Sequence, residues 1–132
     1  MNWKLLINFN HLFACIAISS IPGALARPII SEFMADNDSV LADEDGDFSD
    51  WIEIRNPDAS AISLAGYHLT DDTGDLTKWT FPAVNLNAGA TLLVFASNKD
   101  RALPAGELHT NFKLSAEGEY LALINPDGTT IE

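Results

Sequence analysis

Hydrophobic and polar positions alternate in short stretches from Ile29 onward. In Trp51-Ile52-Glu53-Ile54-Arg55 the two isoleucines share one face and Glu53 and Arg55 the other, the period-two pattern of a half-buried strand. Thr91-Leu92-Leu93-Val94-Phe95 is apolar on both faces and suits a strand covered on both sides. The same reading predicts extended runs over residues 29–34, 51–56, 62–70, 79–81, 91–96, 110–114 and 119–125, with a stub at 129–131. Turn chemistry separates them at Asn56-Pro57-Asp58, Asp71-Asp72-Thr73-Gly74-Asp75, Asn87-Ala88-Gly89 and Asn125-Pro126-Asp127-Gly128. The last fits a type I turn, with Pro126 presetting φ and Gly128 free to become left-handed. No window longer than ten residues beyond Arg27 sustains helical periodicity. About eight short strands in about 100 residues predict an all-β, immunoglobulin-like antiparallel β-sandwich. Ile30, Ile52, Ile54, Leu69, Leu92, Val94, Phe112, Leu121 and Leu123 are its expected core.

The first 26 residues follow a different pattern. A weakly basic start containing Lys4 leads into the apolar run Leu12-Phe13-Ala14-Cys15-Ile16-Ala17-Ile18, then Pro22-Gly23 and Ala24-Leu25-Ala26. That order is the one a secretory signal peptide takes, with cleavage expected after Ala26. The run is too short for the ~20 residues of a membrane span. A lipoprotein signal at Cys15 fits less well, because Phe13 is too bulky for the box before the cysteine. The expected organisation is therefore a signal peptide at 1–26 and one domain at 27–132, secreted or otherwise extracytoplasmic by bacterial-type export. No membrane association is expected after cleavage.

Composition narrows the partners. The chain carries 19 acidic and seven basic residues, a formal charge of −12. Removal of residues 1–26 takes away one lysine and no acid, leaving −13. Nucleic acid is excluded as an expected partner, since polyanions recruit Lys and Arg. Cys15 is the single cysteine, so an internal disulfide, a CxxC pair and a cysteine-rich zinc site are excluded too.

Several segments together resemble the bacterial lamin-tail domain. They begin with Ile30-Ser31-Glu32-Phe33-Met34-Ala35, Asp43-Glu44-Asp45-Gly46-Asp47 and Asp50-Trp51-Ile52-Glu53-Ile54. Leu64-Ala65-Gly66-Tyr67-His68-Leu69-Thr70-Asp71 and Trp79-Thr80-Phe81-Pro82 follow. Leu93-Val94-Phe95-Ala96-Ser97-Asn98-Lys99-Asp100-Arg101 and Leu108-His109-Thr110-Asn111-Phe112-Lys113-Leu114-Ser115 complete the series. The resemblance implies an immunoglobulin-like sandwich without a catalytic site, serving beside other domains of exported proteins. It also implies a further strand or two after residues 118–123. Only four residues follow Gly128, so the domain is expected to lack its last strand or strands and to self-associate as salt rises.

Seven of the fifteen residues from Asp36 to Asp50 are acidic, and Asn37, Ser39 and Gly46 make this stretch a solvated loop. Calcium takes six to eight oxygen ligands, and Asp43, Asp45, Asp47 and Asp50 are its candidates here. An EF-hand register anchored on Gly46 fails, because Leu41 and Ile52 fall at its first and last ligand positions. His68 and His109 are the histidines available for a nucleophilic triad, with no Gly-x-Ser-x-Gly elbow to accompany them. Paired-carboxylate glycoside chemistry needs a sugar-sized cleft that a small lone sandwich seldom builds. Trp51, Tyr67, Trp79 and Phe81 offer a carbohydrate-stacking platform or, the better reading for Trp51 and Trp79, core. Lys99-Asp100-Arg101 reads as a polar loop. The expected function is a non-catalytic interaction or spacer module of a larger exported protein, not an enzyme and without cofactor. Its partners are other domains of a longer polypeptide, or an extracellular protein or polysaccharide. The alternative is a calcium-dependent binding or adhesion domain.

Overall fold

A computed structural model describes residues 27–132. The expected signal peptide and its cleavage after Ala26 lie outside the described residues. Nine strands follow in order: β1 (Ile29–Met34), β2 (Asp50–Arg55), β3 (Ile62–Ser63), β4 (His68–Thr70), β5 (Trp79–Thr80), β6 (Asn85–Leu86), β7 (Thr91–Ala96), β8 (Leu108–His109) and β9 (Ala122–Ile124). They form a four-stranded sheet β1-β2-β7-β8, a three-stranded sheet β5-β4-β9 and a small β3-β6 pair. No helix occurs among the described residues, and the architecture is an all-β, immunoglobulin-like sandwich.

Register fixes which side chains meet. Ile52 lies opposite Val94 and Ile54 opposite Leu92, so one face of the large sheet is aliphatic. The three-stranded sheet answers with Leu69, Trp79 and Leu123, and Leu64, Phe81, Leu86, Leu108 and Phe112 close the space between them. Trp79 and Phe81 meet edge to face at 4.9 Å. Trp79 is buried in this core as expected, whereas Trp51 is buried on the opposite face of the large sheet rather than between the sheets. Ile30, Leu92 and Leu121 are only half-buried and pack against the core from its margin.

Four stretches depart from the sequence pattern. The run 62–70 is two strands, because residues 64–67 form a tight turn in which Tyr67 N–H donates to Leu64 C=O and Gly66 takes φ +80°. Residues 85–86 pair with β3 although they carry only one apolar side chain. The run 110–114 is not a strand. The strand lies just before it at β8 and pairs parallel to β7, the one parallel pair among the described strands. Beyond β8, Lys113 makes only an isolated bridge to Ser97. Residues 119–125 contract to β9, since Ser115, Glu117 and Gly118 tie the preceding segment into a local turn. At the other end, Gly128 takes φ +73° and its N–H donates to Asn125 C=O, as the turn chemistry predicts. The chain then returns along β9: Asn125 N–H donates to Thr130 C=O and Glu132 N–H to Leu123 C=O. The outer side of β9 is therefore paired.

Candidate functional site

The same register creates a second apolar face. Trp51, Phe95 and His109 lie opposite one another on β2, β7 and β8, on the side of the sheet away from Ile52 and Val94. Phe95 and His109 stack with centroids 5.3 Å apart. Both are buried, His109 completely. What borders this face is the acidic loop: Glu44 reaches His109 directly.

That loop is built on side chains turned inward. Asn37 is buried; its Nδ2 donates to the carbonyls of Leu41 and Ser49, and its Oδ1 accepts from the amides of Val40 and Leu41. Asp50 Oδ1 accepts from the amides of Asp36 and Asn37, at 2.8 and 3.1 Å. Asp43 Oδ1 accepts from the amides of Asp45 and Asp47, closing a turn in which Gly46 takes φ +84°. Aspartates here do the work of turn formation, satisfying backbone donors that a loop otherwise leaves to water.

The charge is neutralised from within the chain. Lys99 Nζ lies 2.6 Å from Asp43, 2.8 Å from Asp45 and 2.9 Å from Asp47. Arg101 bridges Glu44 and Asp45, each at 2.8 Å. Positive φ at Asn98 and Asp100 makes this segment kink at alternate residues while its amides pair back to residues 109–112. Burial pushes the Asp43 carboxyl up, but the Lys99 ammonium and the amides of Asp47 and Asp45 outweigh it and hold it below the usual range. Lys99 and then Arg101 bring Asp45 to about 2. Burial disfavours the Lys99 ammonium, and its three carboxylates more than reverse that, raising its pKa. Contacts with Glu107, His109 and Arg101 bring Glu44 to about 2.

The structure thus brings Asp43, Asp45 and Asp47 together and leaves Asp50 on separate duty. It does so around an ammonium, in the position a bound calcium ion would claim. The Lys99-Asp100-Arg101 segment, a plain polar loop by sequence, supplies both counter-ions, and Asp43 is buried rather than solvated. His68 lies in β4, half-buried, with Nδ1 2.9 Å from Thr80 Oγ1. Trp51, Trp79 and Phe81 are buried and present no stacking platform, and Tyr67 is half-buried.

His109 was legible as a titratable residue but not as the centre of a chain. Its Nδ1 is 2.9 Å from Ser97 Oγ and its Nε2 is 3.1 Å from Glu44 Oε2. Serine, histidine and carboxylate in that order have the connectivity of a hydrolase triad. The backbone around Ser97 does not complete one. The Asn98 N–H, next after the serine, is committed to Phe112 C=O at 3.1 Å, and the Lys99 N–H donates to Ser97 Oγ itself at 3.2 Å. Neither is free to stabilise an oxyanion. Beside Ser97 an open, polar cleft of about 470 Å³ runs between Asp47, Phe48, Ser49 and Lys113.

Sandwich topology and an all-β core define an immunoglobulin-like module. The sequence pattern of the lamin tail domain matches residues 22–132. The chain belongs to the lamin tail domain family. No curated protein and no solved structure matches it.

Proposed function

We propose that this chain acts as a non-catalytic interaction or spacer module of a larger exported protein. The observation that carries this reading is the closure of the polar cluster around Ser97 and His109. Acids, bases and the amides around Ser97 are engaged with each other, leaving no free nucleophile or oxyanion donor there. Family membership supports the same reading. The partner is another domain of a longer polypeptide, or an extracellular protein or polysaccharide, met on the outside of the cell. A calcium-dependent role for the acidic loop would require Ca²⁺ to displace Lys99 from three short ion pairs.

The purified protein is expected to show no turnover of ester, phosphodiester or glycoside substrates above buffer. Ser97→Ala is expected to leave that background unchanged. Turnover in the parent that disappears in Ser97→Ala would overturn the reading. Export is checked separately: N-terminal sequencing of the mature protein should begin at Arg27, and an intact Met1 in a cytosolic fraction would refute it.

A further inference from the structure

Glu44, Glu107 and His109 form a group distinct from the Lys99 cage: one ligand atom from each lies within 4.8 Å of the others. Each of the three is held by a further contact within the chain. Glu44 Oε1 is held by Arg101 Nη1 at 2.8 Å, which leaves Oε2 toward His109. Glu107 Oε2 accepts the Glu44 amide at 2.7 Å. His109 is fully buried, and its Nδ1 meets Ser97 Oγ, so Nε2 is directed at the carboxylates.

From this we infer that Glu44, Glu107 and His109 form a binding site for a single divalent transition-metal ion of the Zn²⁺ type. One imidazole nitrogen and two carboxylate oxygens suit zinc and its neighbours rather than calcium, which takes oxygen alone. With bonds of about 2.1 Å, ligand atoms of a tetrahedral zinc lie about 3.4 Å apart. The 3.1 Å between His109 Nε2 and Glu44 Oε2 is close to that spacing. Ser97 Oγ serves as the second-shell partner that a metal-bound histidine needs. It accepts the Lys99 amide and retains a lone pair for Nδ1–H, freeing the Nε2 lone pair for the ion. Electrostatics agree. With all groups ionised, the five carboxylates of the two adjoining clusters exceed Lys99 and Arg101 by three charges. Glu44 and Glu107 are solvent-exposed, so the ion enters from outside and keeps a fourth position for water. Bound there, it fastens the acidic loop to β8.

The test is zinc titration of the untagged protein by calorimetry, with Co²⁺ absorption as a report on ligand geometry. One equivalent is expected to bind and to raise the melting temperature, with the rise reversed by chelator. Glu107→Gln changes an exposed side chain and leaves the core intact; it is expected to weaken zinc by about tenfold or more. Parent protein that shows no saturable binding would overturn the proposal. Equal affinity in parent and Glu107→Gln would overturn it as well, since the ion would then sit elsewhere, as on the Asp43–Asp45–Asp47 group.

Discussion

Replacing Lys99 with methionine is expected to destabilise the protein by about 3–5 kcal/mol, as removal of one partner from a buried ion pair does. The side chain of Asp43 has no solvent exposure, and Lys99 is its only cationic partner among the described residues. Methionine keeps much of the aliphatic stem but leaves the Asp43 carboxylate buried and uncompensated. The same substitution costs little at the outer partner, since Asp47 is 66% exposed. Asp47→Asn should therefore change stability by less than about 1 kcal/mol. Asp43→Asn placed on Lys99→Met should recover part of the loss, because the amide oxygen still accepts the Asp45 and Asp47 amides without stranding a charge. Urea unfolding of the four proteins measures this. Acid should act on the same cluster. Asp43 and Asp45 are held below the ordinary aspartate range, so they contribute stability above that range and lose it as pH falls toward 2. The melting temperature should decline across that window, and less steeply in the Lys99→Met background.

Phe95→Ala is expected to cost about 3–5 kcal/mol, the range for emptying a buried aromatic site. Phe95 is 2% exposed and carries the stacked His109 on its outer-face neighbour strand. The cavity would open beneath the acidic loop, so hydrogen exchange in residues 36–50 should accelerate more than exchange in β4 and β9. Ile52→Ala, in the main core, should give a comparable loss without that local signature. Ile30→Ala should cost less than either, because Ile30 sits half-exposed on the edge strand β1. Unfolding midpoints together with residue-resolved exchange decide between the two cores. An Ile30→Ala loss equal to that of Phe95→Ala would show that the outer face contributes nothing special.

Period-two alternation and turn residues were enough to determine the class of fold. Residues 29–34 and 91–96 form strands with the bounds their patterns predict, and β2 is displaced by a single residue. The Asn125–Gly128 turn follows from local chemistry, since Pro126 and Gly128 restrict or permit φ without help from elsewhere. These features are set within a few residues of chain, where backbone sterics and burial on one face act alone. What the tertiary structure decided involves partners far apart in sequence. Lys99 neutralises Asp43 from 56 residues away, and Glu44 meets His109 across 65. A charge run looks solvated in the sequence because nothing local shows which cation will be folded against it. β8 is not legible locally for the same reason: two residues carry too little periodicity, and parallel pairing with β7 supplies what their pattern lacks. The sequence therefore determined a β-sandwich with an acidic loop. Only long-range packing turned that loop into a closed electrostatic clasp over Phe95 and His109, because ion pairs and burial depend on distance in space rather than along the chain.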